Sequence, residues 1–244
     1  MTQFLPNEFG NFFEKFIPEY RRRKKTYWLL YFVSILYLSL PSFMIPTLEW
    51  GRFRVTALME QRALESYMLF YPRQSWASFD DINPALARCI IGLEDGKFFN
   101  HKGIDWYELE KSLQANKRRK RVARGGSTIT MQLAKNLFLN TNRSAFRKAK
   151  EFVITLRMEK ELSKESILEN YVNAIEWGDG IFGAKKAASI YFDKEPSTLS
   201  FNECSRMAAV VPSPLRHKPS DNSGYVGRRA SRSRGRSVDV IISK

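Results

Sequence analysis

Residues 83–96, NPALARCIIGLEDG, predict a buried helix that ends in two acidic residues. Asn83 is a favourable N-cap, and Pro84 suits the first helical turn, where its missing N–H costs nothing. The apolar side chains that follow repeat at helical spacing: Leu86, Ile90 and Leu93. Glu94 and Asp95 then fall at the negative end of the helix dipole, where further negative charge is unfavourable. Two acids that oppose local stability indicate a functional role.

The chain beyond this stretch also shows helical patterns. Ser163 predicts another helix start, and the apolar residues after it repeat at helical spacing: Leu168, Tyr171, Val172 and Ile175. Ser200 and Glu203 form a capping box before a short apolar segment that ends ahead of Pro212. Because no strand pattern or internal repeat stands out, the sequence predicts an all-α domain.

Composition excludes several classes of protein. The chain has 244 residues, of which 43% are hydrophobic, so it can bury a core and is not disordered throughout. Its two cysteines, Cys89 and Cys204, are too few for a disulfide scaffold or a cysteine-rich zinc module. They are interpreted as small buried residues, with a disulfide between them as the alternative. Two histidines make a multi-histidine metal site unfavourable.

The net charge of +15 is concentrated in three acid-free clusters at residues 21–25, 117–124 and 228–236. The clusters hold 16 positive charges, so the rest of the chain carries a net charge of −1. Such clusters attract polyanions: nucleic acid, anionic lipid head groups or phosphate-bearing substrates. The last cluster lies in residues 226–244, which are rich in Ser, Gly and Arg and are interpreted as a basic flexible tail, either solvated or attracted to a membrane surface.

Residues 26–48 contain no charge. As a helix they would reach about 34 Å, enough for the hydrocarbon core of a bilayer. We therefore predict a transmembrane helix over residues 26–46, with a cleaved signal peptide or a buried core helix as alternatives. The basic cluster before it predicts a cytoplasmic segment at residues 1–25. Residues 47–82, a linker with a leading helix, and all that follows would then lie outside the cytoplasm, where no nucleic acid partner is expected.

Residues 124–140, RGGSTITMQLAKNLFLN, predict a glycine-rich loop that leads into a helix. Hydroxyl groups and free backbone N–H groups at a helix start favour an anion, although an ordinary loop with a helix cap fits the same pattern. The chain has no Walker loop, GxSxG, HExxH or CxxC motif. The remaining chemical candidates are Glu94 and Glu151, with cations between them in sequence. Two acids and cations suit glycosyl transfer from a sugar phosphate, with a surface ion pair on its helix as the alternative for Glu151.

Five collinear stretches resemble the peptidoglycan glycosyltransferase domain, glycosyltransferase family 51. They are IIGLEDGKFFNHKGID (90–105), RGGSTITMQLAKNLFL (124–139), RKAKE (147–151), SKESILENYVN (163–173) and IFGAKKAASIYFDKEPSTLSFNECSRMAAVVPSP (181–214). Beyond them, GYVGRR (224–229) resembles the family's terminal Tyr-Val-x-x-Arg. The resemblance implies a lysozyme-like α-helical domain at residues 83–225.

By this resemblance the protein would polymerise lipid II into β-1,4-linked glycan strands and release undecaprenyl diphosphate. Glu94 would be the general base, and Glu151 would organise the departing diphosphate. Lys135 and Arg143 would bind that diphosphate. No cofactor is required, although a divalent cation, Mg²⁺ or Mn²⁺, could sit at the diphosphate, and its ligands are unknown.

Further residues are assigned by the same resemblance. The polar lining of the cleft would be Ser127, Thr128, Gln132 and Asn136, and Lys150 would contact substrate. Asp95 and His101 would orient Glu94 and the local turn. Met131 replaces a glutamine of the family motif, which would remove one polar contact with substrate, and Lys111 stands where an arginine is common.

The resemblance also implies a location and partners. The enzyme would be a single-pass protein of the bacterial inner membrane, with its catalytic domain on the periplasmic side. Its partners would be lipid II, the nascent glycan strand and a cell-wall synthesis complex. Only 30 residues follow Pro214, too few for a transpeptidase domain. Two alternatives stay open: a hydrolase that cuts finished glycan, and a non-catalytic scaffold of a wall-synthesis complex.

Overall fold

The computed structural model describes residues 20–50, 55–67, 73–119, 125–142 and 144–242. The chain divides into two compact units, residues 1–40 and 41–244. The first unit contains helix α1 (Tyr20–Leu38), which begins at the basic cluster and carries exposed apolar side chains from Trp28 onward. It ends earlier than the predicted segment 26–46, because Pro41 disfavours helical backbone at the residue before it. Among the described residues, no helix is both long and apolar enough to cross a membrane.

The second unit is built mainly of helices. They are α2 (Ala57–Glu65), α3 (Pro84–Glu94), α4 (Trp106–Arg119), α5 (Ile129–Phe138), α6 (Ala145–Glu161), α7 (Lys164–Ala174), α8 (Ala184–Phe192), α9 (Phe201–Val210) and α10 (Gly224–Ser237). Short 3-10 turns lie at Pro46–Glu49, Phe79–Asp81, Phe98–Asn100 and Pro196–Thr198. The helical class predicted from sequence is confirmed.

Local capping residues begin the helices where the sequence predicted. The side chain of Asn83 accepts a hydrogen bond from the backbone N–H of Ala85 at 2.8 Å and caps α3. Ser163 caps α7, and Ser200 with Glu203 forms the predicted capping box of α9. These signals involve residues two or three positions apart, which is why sequence alone reveals them.

A small sheet is the first departure from the all-α prediction. Strands β1 (Arg73–Gln74), β2 (Glu176–Gly178) and β3 (Ile181–Phe182) pair in the order β1-β3-β2, with β1 parallel and β2 antiparallel to β3. Strands of two or three residues are too short to show an alternating apolar pattern, so the sequence gives no sign of them.

The helices pack in two groups. Helix α5 contacts α2, α6 and α7, whereas α3, α9 and α10 pack on one another. Cys89 of α3 and Cys204 of α9 lie inside the second group as buried free thiols, which confirms their interpretation as small core residues. Burial raises the pKa of the Cys204 thiol to about 12.

Helix α10 overturns the prediction of a flexible tail for residues 226–237. Residues 224–237 are helical and bury one face of small side chains: Val226, Ala230, Ser233 and Ser237. The Oγ atom of Ser233 donates to the carbonyl of Cys89 at 3.1 Å. Gly92 permits the close approach of α3, since a Cβ atom there would lie 3.1 Å from Arg236. Serine and glycine, which suggest mobility by composition, here act as small packing residues between helices.

Candidate active site

Glu94 is the last residue of α3, and its carboxylate meets both helix groups. Oε1 accepts a hydrogen bond from Nη2 of Arg229 on α10, and Oε2 accepts one from Nε2 of Gln132 on α5, each at 3.1 Å. The side chain is 12% exposed. Burial raises the pKa of Glu94, while the bonds from Gln132 and Arg229 oppose that rise. A carboxylate with a raised pKa can accept a proton near neutral pH.

Asp95 fixes the end of α3 against the start of α5. Its carboxylate accepts hydrogen bonds from the backbone N–H of Ile129 at 3.0 Å and from Nε2 of His101 at 2.9 Å. Asp95 therefore places the Glu94 backbone relative to α5. The orienting role implied for Asp95 and His101 stays a prediction; among the described residues, neither side chain is hydrogen-bonded to the Glu94 carboxylate.

The start of α5 is fixed by Thr128. Its Oγ1 accepts from the N–H of Met131 at 3.2 Å and donates to the carbonyl of Gly103 at 2.5 Å. This buried hydroxyl donates its only proton within the protein and acts as a helix cap. Ser127 beside it is half-buried, and no hydrogen bond links its side chain to any described residue.

The next turns of α5 carry Gln132, Lys135 and Asn136, which were predicted to line the cleft or to bind diphosphate. Gln132 bonds Glu94 directly, and Asn136 is buried one turn further along. Met131 is fully buried in the core. The structure therefore gives no support to a lost polar substrate contact at Met131, because its side chain faces inward.

Glu151 lies buried on α6 between two cations of its own helix. Nη1 of Arg147 donates to Oε2 at 2.6 Å, and Nζ of Lys148 donates to Oε1. Glu151 thus forms ion pairs within its own helix, as the alternative interpretation expected, but its side chain is 3% exposed, so the carboxylate does not lie on the surface. Glu151 organises two positive side chains at the edge of the buried region.

Lys135 lies on α5 and interacts electrostatically with both Glu151 and Glu94. It is half-buried, and among the described residues its ammonium has no hydrogen-bond or ion-pair partner. Burial lowers the pKa of Lys135; Glu151 and, more weakly, Glu94 favour its charged form, whereas Arg147 and Lys148 disfavour it. A half-buried cation with unused donors is suited to binding an anion.

The other two predicted cations are not placed in this group. Nζ of Lys150 lies 4.9 Å from the ring centre of Phe146 on the same helix, and no contact joins it to Glu94, Glu151 or Lys135. Arg143 lies outside the described residues.

The described residues alone do not form a divalent-cation site. No three of their His, Cys, Asp and Glu side chains converge. Both carboxylate oxygens of Glu151 already accept from cations. The guanidinium of Arg147 and the ammonium of Lys148 are suited to binding an anion.

Two residues that hydrogen-bond to Glu94 or to Gln132 were not predicted from the sequence. Arg229 comes from the segment interpreted as a flexible tail, and Tyr171 was interpreted only as an apolar position. The phenol of Tyr171 donates to Oε1 of Gln132 at 2.9 Å. For Arg229 a signal existed: the match of GYVGRR to the family's terminal motif, together with small residues repeating at helical spacing in 226–237.

Comparison with known proteins identifies the family of the chain. The transglycosylase family model matches residues 61–237. The chain is 35% identical over 226 residues to the biosynthetic peptidoglycan transglycosylase of Nitrosospira multiformis, covering 90% of this chain and 98% of that one. It is 42% identical over 177 residues to the protein of the same name from Thiobacillus denitrificans, covering 72% and 75%. The chain belongs to the transglycosylase family and is a peptidoglycan glycosyltransferase.

Proposed function

We propose that the protein polymerises lipid II, with Glu94 as the general base. The observation that carries the proposal is that Glu94, a buried carboxylate with a raised pKa, interacts electrostatically with Lys135, a half-buried ammonium that has no ion-pair partner among the described residues. Glycosyl transfer from a diphosphate needs both functions, because a proton must leave the acceptor while negative charge grows on the leaving group.

In the proposed step, the 4-hydroxyl oxygen of the acceptor GlcNAc attacks the anomeric carbon of the donor MurNAc. Glu94 takes the hydroxyl proton as the new carbon–oxygen bond forms. The bond from that carbon to the diphosphate breaks, and undecaprenyl diphosphate leaves with the electron pair. Attack from the opposite face converts the α-linked donor into a β-1,4 product.

Lys135 is proposed to bind the departing diphosphate, together with the cations held by Glu151. Arg147 and Lys148 supply two further positive charges, and Glu151 fixes their positions on α6. Ser127 and Asn136 are proposed to donate hydrogen bonds to substrate, since neither side chain is engaged by a described residue. Charge-assisted donors of this kind stabilise negative charge most strongly away from bulk water.

Residues 26–46 are proposed to anchor the enzyme in the inner membrane, with the catalytic unit on the periplasmic side. The basic cluster at 21–25 and the exposed apolar side chains of α1 support this orientation. Membrane extraction and protease accessibility of the full chain in cells would test it. Release of the uncleaved chain by alkaline carbonate would overturn it.

Glu94→Gln tests the chemistry. The amide keeps the size of the side chain but cannot accept the proton, so we expect glycan polymerisation from purified lipid II to be lost while lipid II binding persists. The matched control is Glu60→Gln on α2, whose side chain is exposed and contacts no described charge. Full activity of the Glu94→Gln protein would overturn the proposal, and release of muropeptides from purified sacculi would favour a hydrolase.

A further inference from the structure

Tyr171 has no role in the chemistry proposed above, yet it lies two hydrogen bonds from the base. It sits on α7 and is fully buried. Its hydroxyl donates to Oε1 of Gln132 at 2.9 Å. A buried phenol has one proton to donate, and here that proton is committed to the carbonyl end of one amide.

The Tyr171 phenol and the Glu94 carboxylate together fix which way the Gln132 amide faces. With Oε1 held by Tyr171, the amino end points to Glu94, and Nε2 lies 3.1 Å from Oε2. In the reversed orientation the amide oxygen would face the carboxylate, and two acceptors would oppose each other without a proton between them. Only the orientation in which Oε1 accepts from Tyr171 gives Glu94 a donor.

We infer that Tyr171 is a positioning residue for Glu94, acting through Gln132 as a hydrogen-bond relay from α7 across α5 to the end of α3. The inference rests on the proposed role of Glu94 as the base. By this inference Gln132 donates a hydrogen bond to the base, whereas its position in the motif had suggested a contact with substrate.

The charges that face Glu94 set the direction of the expected effect. Asp95 from its own helix raises the pKa of Glu94, and Arg229 from α10 lowers it. The ammonium of Lys135 on α5 also interacts with Glu94. From α7 comes the Tyr171 phenol, whose pKa burial raises well above its ordinary value, so it stays a neutral donor. Loss of the Gln132 bond, which favours the carboxylate, would therefore move the pKa of Glu94 further upward.

Tyr171→Phe in the full-length enzyme tests the relay, because the ring remains and only the hydroxyl is lost. We expect the acid limb of the kcat profile for lipid II polymerisation to move upward by about one pH unit, the effect of one hydrogen bond to a charged group. Below the midpoint, turnover should fall about tenfold, since the ionised fraction of the base falls tenfold per unit. On the alkaline plateau it should return close to the wild-type rate, with KM nearly unchanged. A purely structural defect would lower the rate at every pH.

Gln132→Ala removes the residue that links Tyr171 to Glu94. It is the second test of the relay, to be used if the Tyr171→Phe protein folds poorly. It should move the acid limb in the same direction. The double variant should then be no worse than Gln132→Ala alone, because residues acting through one path are not additive. Tyr191→Phe is the matched control: its hydroxyl donates to the carbonyl of Trp177 at 3.3 Å, away from Glu94, so its acid limb should match the wild type.

Two outcomes would overturn the relay while leaving the proposed function intact. One is an acid limb of Tyr171→Phe that superimposes on the wild type while Glu94→Gln is inactive. The other is strict additivity of the Tyr171 and Gln132 variants. If Glu94→Gln were instead fully active, the proposed function itself would fail, and the two failures are thereby distinguished.

Discussion

Arg229 and Glu94 lie 135 positions apart in the chain, yet their side chains meet at 3.1 Å. Nε of the same guanidinium donates to the carbonyl of Ala209 at 3.0 Å, so Arg229 is held by α9 while it reaches the end of α3. Helix α10 therefore contributes a side chain to the site that contains Glu94.

Arg229→Ala should shift the pH dependence of polymerisation. Burial already raises the pKa of Glu94, and Arg229 opposes that rise, so its loss should move the acid limb upward by about one to two units. The measurement is the initial rate of lipid II polymerisation across pH. Arg228→Ala is the control, since Arg228 is exposed and pairs with no acid in the described part of the chain. An unshifted limb in Arg229→Ala would show that this ion pair does not tune the base.

Ala230→Glu should destabilise the catalytic unit, whereas the same substitution in a mobile tail would leave its stability unchanged. Ala230 is 1% exposed in the face of α10 that packs on α3 and α9, and a carboxylate there has no room and no partner. We expect a loss of about 3 kcal/mol in the free energy of unfolding. Ser231→Glu, one position along on the exposed side, should change stability by about 0.5 kcal/mol or less. Equal unfolding curves for the two variants would contradict the packing of α10.

Gly103→Ala should be costly because the backbone there requires glycine. Gly103 has φ +85°, and a Cβ atom would lie 2.8 Å from side-chain atoms of Thr155 and Glu159. Left-handed backbone and steric overlap together should cost about 2 kcal/mol or more, measured by thermal or chemical unfolding. At Gly96 an added Cβ meets nothing within 4 Å, so Gly96→Ala is the control. If both variants unfolded alike, the close contact at Gly103 would be refuted.

Lys135→Met should separate stability from activity. Since Lys135 is half-buried without a partner among the described residues, replacing its charge should leave the melting temperature unchanged or raise it. Removing a donor aimed at the diphosphate should lower kcat about 10²- to 10³-fold. Lys160→Met, exposed on α6, should leave both quantities unchanged. An active Lys135→Met enzyme would remove Lys135 from the proposed diphosphate site.

Some of this fold could be predicted because its signals are local. Asn83 and Ser200 cap helices through side chains that bond backbone N–H groups two or three residues away. The spacing of apolar residues likewise identified α3 and α7 as buried. Motif order then indicated that Glu94, Glu151 and Lys135 belong to one site, although it did not show what each side chain contacts.

Sequence by itself determined the helical class and the starts of α3, α7 and α9, since these depend on neighbours within one or two turns. Only the tertiary structure decided that a serine- and arginine-rich segment forms α10, and that Arg229 and the pair Tyr171–Gln132 converge on Glu94. The physical reason is that packing of one helix on another depends on shape matched across distant parts of the chain, and no periodicity within a single segment encodes it.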